Sequence, residues 1–459
     1  MAVTDTRTDA ASGVEFREAL GVWLRIGLTS FGGPAGQIAL MHRILVEEKR
    51  WISEQRFLHA LNYCMLLPGP EAQQLATYVG WLLHRTLGGL VAGILFIVPG
   101  ACVIMILSLL YAGFQDLALI QALFYGIKAA VLAVVGEAML RSANRTRAYG
   151  VLGALASVAC IGVFFGAVPF PVIVIAAAAI GFLGGHFAPA QFVVKRGHGA
   201  KGDTSASIDA ALSDGQLEHT RPSLARAVKV VVVCLALWFG PIFLLATALG
   251  LDHIYTQQAM FFSKMAVVTF GGAYAVLAYV AQQAVETYGW LSPGEMLDGL
   301  GLAETTPGPL ILVLEFVGFL GAYRSPGSLD AALAGAFGAA LVLWVTFVPC
   351  FLWIFLGAPY IEALRGRKVL DAALSTITAA VVGVVLNLAI WFALHVVFGQ
   401  VDRIAGPAGL QLQVPVWDSL DVFAAALSAL AMLAMIRFKL GMIPTLAGSA
   451  LIGGLWTLL

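Results

Sequence analysis

The chain has 459 residues and little charge: Asp, Glu, Lys and Arg make up 11% of it, against about a quarter in an ordinary soluble domain. Its 26 basic and 26 acidic residues cancel, so no excess of positive charge points to a nucleic acid partner. Apolar residues make up 60%, and apolar runs long enough to cross a bilayer recur from end to end. The composition therefore excludes a soluble or disordered protein and predicts a polytopic membrane protein.

Signatures of metal, redox or catalytic sites are also missing. The five cysteines lie singly in apolar stretches without C-x-x-C spacing, and the eight histidines are scattered. The sequence has no G-x-x-x-x-G-K-[ST] phosphate loop, no H-E-x-x-H and no G-x-S-x-G. We therefore expect no catalytic residue, no metal and no cofactor. The polar segment 1–15 lacks the apolar core of a secretory signal, so a cytoplasmic N-terminal tail is expected.

The two halves of the chain are related by a repeat with a shift of 239 residues. Thirteen of the forty positions in 31–70 match those in 270–309 without a gap, which indicates a tandem duplication. Two motifs stand out in the match: Phe31, Gly32 and Gly33 recur as Phe270, Gly271 and Gly272, and Pro68, Gly69 and Pro70 recur as Pro307, Gly308 and Pro309. Beyond a short insertion the shift becomes 250 and pairs Pro99 with Pro349.

Each half begins with two apolar elements that are broken in the middle by these Gly and Pro motifs. The broken elements span 16–42 and 57–84 in the first half, and 254–284 and 295–322 in the second. Unbroken apolar helices are predicted at 86–114, 117–140, 148–166, 169–187, 330–357, 372–398, 418–436 and 440–458. The predicted organisation is a first repeat at 16–187, a cytoplasmic linker at 188–226, a connecting transmembrane helix at 227–250 and a second repeat at 251–459.

The number of crossings predicts that the second repeat is inverted. Four spans and the connecting helix make five crossings between the repeats, and an odd number turns the second repeat upside down. The segment 43–56 carries four Lys or Arg residues and its counterpart 282–294 carries none, so the positive-inside rule places 43–56 in the cytoplasm. This holds if each broken element is a hairpin that turns back at the membrane midplane. The predicted fold class is an all-α polytopic membrane protein with two inverted repeats, each with two re-entrant helical hairpins followed by about four transmembrane helices.

The four breaks mark the predicted site, because unpaired backbone groups in lipid must be buried in protein or line a watery cavity. Pro70 and Pro309 suit the first position of the helical arms that follow them. The N–H groups at such helix N-termini bind anions, and a symmetric set of them suits a compact anion with oxygens on all sides. The alternative is that Gly and Pro only kink packed helices.

Three cations lie in apolar segments of the sequence. Arg25 and Lys264 stand six residues before Phe31 and Phe270, so the duplication has kept a cation at the same height in both first arms. We interpret them as anion-binding residues; the alternative is that both side chains snorkel to the headgroups. Lys128 has no counterpart in the second half and is expected to be a tuning charge or a member of an ion pair.

Acidic and neutral polar residues near the breaks complete the candidate site. Glu304 and Glu315 are candidate proton carriers, whereas Glu71 either caps the helix that follows Pro70 or takes part in coupling. Neutral hydrogen-bond donors near the breaks suit oxyanion oxygens or satisfy the broken backbone: Gln73, Gln74, Thr305 and Thr306.

From the residues alone, the sequence indicates a transporter, with an anion as its cargo. Two other classes are alternatives: an anion channel, and a membrane enzyme acting on a lipid phosphate. The enzyme should place a nucleophile or metal ligands beside the cations, and none is evident.

Several motifs resemble the chromate ion transporter family in its long, two-domain form. They are FGGPAGQIA at 31–39, VEEKRWIS at 46–53, LPGPEAQQLATYVG at 67–80, TFGGAYAVLAYV at 269–280 and TTPGPLILVLEFVG at 305–318. The resemblance covers essentially the whole chain. It implies efflux of chromate across the bacterial inner membrane, by an antiporter that confers chromate resistance, with recognition of sulfate as well. A carrier of sulfate or another oxyanion is the alternative within this class.

The resemblance implies chromate and sulfate as partners. The apolar composition adds the lipid bilayer, no nucleic acid partner is expected, and a homodimer with a second copy of the chain is a further expectation. The second half departs from the first because Ala273 stands where Pro34 does. The two breaks at the Gly pairs therefore need not contribute equally.

Overall fold

The computed structural model describes residues 14–146, 150–165, 168–188, 218–270, 273–360, 368–405 and 411–459. Most of the expected N-terminal tail and of the linker 188–226 lies outside these residues, as do Gly271 and Gly272. Helices account for most of the described chain, as expected for apolar segments that cross a membrane. Six of the described helices are long and apolar enough to cross a membrane, and the chain is an all-α polytopic membrane protein.

The described residues of the first half contain seven α-helices. Helix α4 includes two residues with non-helical backbone angles, His84 and Arg85, where the chain turns back on itself. The helices are α1 (Phe16–Thr29), α2 (Gly33–His42), α3 (Glu54–Cys64), α4 (Glu71–Phe114), α5 (Ala118–Thr146), α6 (Gly150–Phe164) and α7 (Phe170–Phe187).

The connecting helix and the second half contain nine helices in the described residues. The connecting helix is α8 (Leu224–Leu249). It is followed by α9 (Ile254–Val268), α10 (Ala273–Gln282), α11 (Pro293–Thr305), α12 (Val313–Arg324), α13 (Ala331–Gly357), α14 (Lys368–Val397), α15 (Val422–Phe438) and α16 (Met442–Leu458). The predicted spans agree with these bounds to within a few residues, because long apolar runs bounded by Gly, Pro and polar residues determine where helices end.

The two halves share local backbone details as well as the order of their elements. In both, the second arm of the first broken element ends in a π-helical turn, Arg43–Glu48 and Gln283–Thr287. The N–H of Lys49 donates to the carbonyl of Ile44 at 2.9 Å, and the N–H of Tyr288 donates to the carbonyl of Gln283 at 2.9 Å. These donors and acceptors are each 239 residues apart, so equivalent sequence positions adopt equivalent structure.

The broken elements of the first half begin and end at one end of the molecule. His84, at the end of the second broken element, makes a 2.9 Å hydrogen bond between its Nε2 and the carbonyl of Val14, just before α1. Lys49, between the two elements, pairs with Glu18 of α1 at 2.7 Å. Each of these two broken elements therefore returns to the end of the molecule at which it began.

The second half is built in the same way. Arg324, at the end of α12, donates to the carbonyl of Trp290 at 2.9 Å, so the second broken element returns to where it began. Helix α4 connects this region to the ends of the first half. From His84, α4 extends for about 40 Å to Tyr111, whose hydroxyl donates to Asp298 of α11 at 2.8 Å.

A two-stranded antiparallel ribbon interrupts the helical pattern between α14 and α15. Its strands are β1 (Val401–Ala405) and β2 (Gln411–Pro415), with Val401 opposite Pro415. The sequence analysis assigned no regular structure to this stretch. The short apolar alternation on either side of a Gly/Pro-containing segment is the signal for it, but it is weak beside the long apolar runs.

Candidate functional site

The breaks of the two halves are hydrogen-bonded to each other. The N–H of Gly69 donates to the carbonyl of Thr269 at 2.8 Å, and the N–H of Gly308 donates to the carbonyl of Ser30 at 2.9 Å. Gly69 and Gly308 are equivalent under the shift of 239, and so are Ser30 and Thr269. Each Pro-Gly-Pro break therefore bonds to the end of the first arm in the opposite half. We call these two contacts the crossed tips.

Glycine is required in the crossed tips for two reasons. Gly69 and Gly308 have φ angles of 125° and 89°, a region that disfavours other residues. Each tip also packs tightly against a long helix of the other half. A β-carbon at Gly69 would lie 2.8 Å from Sγ of Cys350 in α13, and a β-carbon at Gly100 in α4 would overlap the carbonyl oxygen of Pro307. Gly100 and Cys350 are equivalent under the shift of 250, so the packing is crossed in the same way as the hydrogen bonds.

Three helical segments begin at the tips without a side-chain cap in the described residues. Helix α2 follows Gly32, with Pro34 in its first turn, and α4 follows Pro70. A short 3₁₀ turn follows Pro309 and leads into α12. The first N–H groups of a helix have no partner within it. The starts of these three segments therefore present unpaired backbone N–H donors and a partial positive charge.

Gln37 of α2 ties one tip together from the side. Its side chain is buried, and its Nε2 donates to the carbonyl of Gly308 and, at 3.4 Å, to the carbonyl of Ser30. The equivalent residue of the second half is Val276, which cannot form such bonds. The two tips are therefore chemically different.

Gln73 and Gln74 are fully buried in the first turn of α4. Nε2 of Gln74 donates to the carbonyl of Pro68 at 2.8 Å, and Nε2 of Gln73 donates to Oγ1 of Thr77 at 3.0 Å. The side-chain oxygens of both glutamines have no hydrogen-bond partner among the described residues. Gln74 thus satisfies a carbonyl of the broken backbone, which was the alternative to oxyanion binding. The side-chain oxygens of both glutamines remain able to accept a hydrogen bond.

The two threonines before Pro307 lie in different surroundings. Thr305 is exposed, whereas Thr306 is buried. Their hydroxyls donate to carbonyls of their own helix, to Leu302 at 2.8 Å and to Ala303 at 3.0 Å. Phe31, at the other side of this tip, is also exposed, so a surface of the tip remains accessible.

Carboxylates, rather than cations, are buried near the tips. Glu304 is buried and accepts a 2.6 Å hydrogen bond from the hydroxyl of Tyr274. Glu315 of α12 is fully buried, and neither of its carboxylate oxygens has a hydrogen-bond partner among the described residues. Glu71 is half-buried at the first position of α4, where its charge favours the helix N-terminus. Burying an ionised carboxylate without a partner is costly, so Glu315 requires a proton or an approaching donor.

The structure does not bring Arg25 and Lys264 to the tips. Both lie on the exposed faces of their helices, and Arg25 pairs with Glu48 at 2.9 Å. The reason is helical periodicity: α1 buries Trp23 and Ile26, which places position 25 on the outer side. This location favours the alternative interpretation, in which the two cations reach the membrane interface.

Lys128 belongs to a buried polar cluster away from the tips. Its Nζ lies 3.4 Å from Oδ2 of Asp298, which also accepts the hydrogen bond from Tyr111. Asp298 is 4% exposed, and its Oδ1 has no hydrogen-bond partner among the described residues. Of the two roles expected for Lys128, the ion pair is the one that the geometry supports.

The described residues contain no group of three or more His, Cys, Asp or Glu side chains that could hold a metal ion. The arrangement at the tips consists of backbone N–H groups, amides and carboxyls, which can bind a polar ligand.

Comparison with known proteins decides the family. The family model described as chromate transporter matches residues 17–182 and 256–454, which together make up most of the chain. The chain belongs to the chromate transporter family. The two matched ranges begin 239 residues apart, the same shift that relates the crossed tips.

Relatives of this chromate transporter family member are similar along most of their length. A chromate transport protein of Pseudomonas aeruginosa is 31% identical over 390 residues, covering 83% of this chain and 82% of the relative. A chromate transport protein of Cupriavidus metallidurans is 26% identical over 378 residues, covering 82% of each chain. An uncharacterized transporter of Methanocaldococcus jannaschii is 24% identical over 375 residues, covering 82% of this chain and 83% of the relative. No solved structure matches the chain.

Two residues of this chromate transporter family member were missed by the sequence analysis. Gln37 lies within a quoted motif, but only the fold brings it to Gly308. Asp298 had a detectable signal, since it is an acid within an apolar arm and its equivalent in the first half, His59, is also titratable. An ionisable group at the same place in both repeats could have singled out this position.

Proposed function

We propose that this chain exports chromate across the bacterial inner membrane and thereby confers resistance to chromate. The single observation that carries the proposal is the pair of crossed tips, in a chain that belongs to the chromate transporter family. The names of the Pseudomonas and Cupriavidus relatives supply the cargo. The crossed tips are the proposed binding site, because the broken helices of both halves meet there.

The chemistry at the tips fits a tetrahedral dianion. The helix starts after Gly32, Pro70 and Pro309 offer backbone N–H donors and partial positive charge, without side-chain caps in the described residues. Thr305, on the accessible side, adds a hydroxyl. We infer that the bound oxyanion contacts these groups, with Gly271 and Gly272, outside the described residues, in the equivalent position of the second half. Gln73 and Gln74, in the first turn of α4, would hold the backbone of this site in place.

The coupling ion we propose is a proton. A dianion needs nearby positive charge or neutralised acids, and the described residues of the tips bring Glu304 and Glu315 rather than Lys or Arg. A site that holds chromate next to these acids is favoured when they carry protons, and loss of those protons favours release. Because chromate and the proton are then bound together, this linkage moves both in the same direction, as a symport and not as the antiport that the resemblance implies.

The tips do not distinguish chromate from sulfate, since donors of this kind read charge and oxygen geometry. Phosphate is partly protonated near neutral pH, and its O–H finds no acceptor among backbone N–H donors, so it should be rejected more strongly. An anion channel with the same breaks is the other alternative. Saturable flux and countertransport distinguish a carrier from a channel.

The deciding experiment is chromate flux in proteoliposomes with an imposed pH gradient. We expect saturable chromate transport that the gradient accelerates, that excess sulfate inhibits and that phosphate inhibits much less. In cells limited for sulfate, expression should lower chromate accumulation, and Gly308→Ala should abolish this effect. Equal accumulation with and without well-expressed protein would refute the assignment of chromate export.

A further inference from the structure

A large cavity lies beside the connecting helix, and none of its lining residues belongs to the hydrogen-bonded pairs of the crossed tips. Its volume is about 1000 Å³, and its walls come from α8, from the part of α4 that follows Arg85, and from α13. Apolar side chains form most of it, among them Ile94, Val233, Leu237 and Phe347. A chromate dianion would lose its hydration there without gaining partners, so these walls do not suit the transported anion.

One end of the cavity is basic. Arg85, Arg226 and Lys229 line it there, together with His219, and no Asp or Glu is among the described residues of the lining. Burial lowers the pKa of His219 to about 4, and the charges of Arg85 and Arg226 contribute in the same direction. His219 is therefore neutral near pH 7, and the positive charge belongs to the two arginines and the lysine.

Helix α8 presents both kinds of surface on one face. The lining positions of α8 follow helical spacing: Arg226, Lys229, Val230, Val233, Cys234 and Leu237. From the first to the last of these the face extends about 16 Å along the helix, with cations in the first turns and apolar residues beyond.

The basic end of α8 lacks an anionic partner in the described residues. Helix α8 has no acidic residue in its first turn, and Ser223 before it makes no side-chain cap. Cations in the first turns of a helix face its positive pole, which is unfavourable unless an anion is added. Arg226 is held in place by bonds to the carbonyls of His219 and Arg221, so its charge is fixed at the cavity mouth.

Two tryptophan side chains form hydrogen bonds between α8 and the bundle. Trp238 is the one buried residue of α8, and its Nε1 donates to Oγ of Ser263 at 3.0 Å. Trp344 of α13 donates from its Nε1 to the carbonyl of Leu237 at 2.7 Å. Both contacts lie near Leu237, at the apolar limit of the cavity, and the cavity lies between the lining residues of α8 and those of α4 and α13.

We propose that this cavity binds an anionic phospholipid of the surrounding bilayer. The phosphate lies between Arg85, Arg226 and Lys229, and an acyl chain extends along α8 toward Leu237. The charge at one end and the apolar walls along the rest match the two parts of this ligand, and basic pockets between transmembrane helices bind anionic headgroups. The lipid completes the packing of the helix that joins the two halves. The argument for this site does not rest on the proposed chromate export.

Native mass spectrometry of the delipidated full-length chain tests the proposal. The probes are phosphatidylglycerol and phosphatidylethanolamine with identical acyl chains, with inorganic phosphate as a third arm. We expect binding of phosphatidylglycerol at least tenfold tighter than of phosphatidylethanolamine, without competition from millimolar phosphate. Arg226→Gln combined with Lys229→Gln should remove this preference. Arg437→Gln combined with Lys439→Gln, at two exposed cations outside the cavity, should leave it intact.

A second variant keeps the test sharp if the double substitution destabilises α8. Ala340→Trp fills the cavity from α13, whereas Leu333→Trp changes an exposed position of the same helix outside the lining. We expect lipid binding to weaken at least tenfold in the first and to stay within twofold in the second. Equal affinity of the unaltered protein for both lipids, or equal binding by Ala340→Trp and Leu333→Trp, would overturn the proposal. Competition by phosphate as strong as by lipid would show a simple anion site instead.

Discussion

Gln37 of the first half donates its side-chain amide to the carbonyl of Gly308, 271 residues further along the chain. The same amide also reaches the carbonyl of Ser30, the acceptor of the bond from the Gly308 N–H. Gln37 therefore bonds to both partners of one crossed tip. The other tip has Val276 in this place, so the duplication has diverged at the point where the halves meet.

This difference gives a direct test. Gln37→Val makes the first tip like the second and removes a buried amide from two carbonyls. Leaving such groups without a donor costs about 1 to 3 kcal/mol, so we expect lower thermal stability and a several-fold loss of chromate flux. Gln121→Val, at an exposed position of α5, should change neither. Unchanged flux in a stable Gln37→Val protein would mean that this tip is not part of the transport site.

The glycines of the crossed tips should not tolerate a side chain. Gly69→Ala and Gly308→Ala place a β-carbon at left-handed φ, which costs about 1 to 2 kcal/mol, and at Gly69 it also meets Cys350. We expect transport in proteoliposomes to be lost in both. Gly327→Ala has the same kind of strain at a φ of 61° but no atom within 4 Å, so it controls for strain alone. Flux equal to that of Gly327→Ala would contradict a functional role for the tips.

Glu315 should control the response to a pH gradient. Glu315→Gln keeps the shape and the neutral form of this buried side chain but cannot carry a proton. We expect chromate to move down its own gradient in this variant, while an imposed pH gradient no longer accelerates it. Asp116→Asn, in the exposed turn between α4 and α5, should behave like the unaltered protein. Acceleration by the pH gradient in Glu315→Gln would exclude Glu315 as the carrier.

The orientation of the repeats can be measured with single cysteines at Lys49 and Tyr288, in a background without the five native cysteines. Both side chains are accessible, and both follow the π-helical turns of their halves. We expect an impermeant maleimide to label Tyr288→Cys from the periplasm and Lys49→Cys only after the membrane is opened. Labelling of both from one side would refute the inverted arrangement.

Arg25 should contribute little to chromate affinity. Its guanidinium pairs with Glu48 on an exposed face, and exposed ion pairs are worth at most about 1 kcal/mol. Arg25→Gln should therefore change the apparent affinity for chromate by less than about fivefold. Arg43→Gln is the matched control, because Arg43 contacts the same Glu48. A tenfold weaker affinity in Arg25→Gln alone would restore the anion-binding interpretation.

The sequence predicts the helices of this protein well because their signals are local. The apolar run that predicts a helix at 330–357 corresponds to Ala331–Gly357, and the glycine and proline breaks fall where the arms turn. Periodicity could also have placed Arg25 outside, since Val22, Trp23 and Ile26 define the buried face of α1. The match of Arg25 with Lys264 across the repeat predicts an anion-binding residue instead, and the helical face is the better guide at this position.

Contacts between the halves could not be predicted in the same way. The repeat shows that Gly69 is equivalent to Gly308, but equivalence does not reveal that each bonds to the opposite half. Likewise, Lys128 and Asp298 are 170 positions apart, and no local pattern relates them. These contacts depend on how the helices pack, which is determined by many weak interactions at once.

The crossed tips also constrain how the protein is made. The first half is inserted into the membrane while the second is still being synthesised. The N–H of Gly69 and the carbonyl of Ser30 therefore have no hydrogen-bond partner at that stage, because their partners belong to the second half. Neither half can complete its own break. These backbone groups of the nascent chain thus remain unpaired within the bilayer until Thr269 and Gly308 are inserted. The last step of assembly is therefore the one that forms the site.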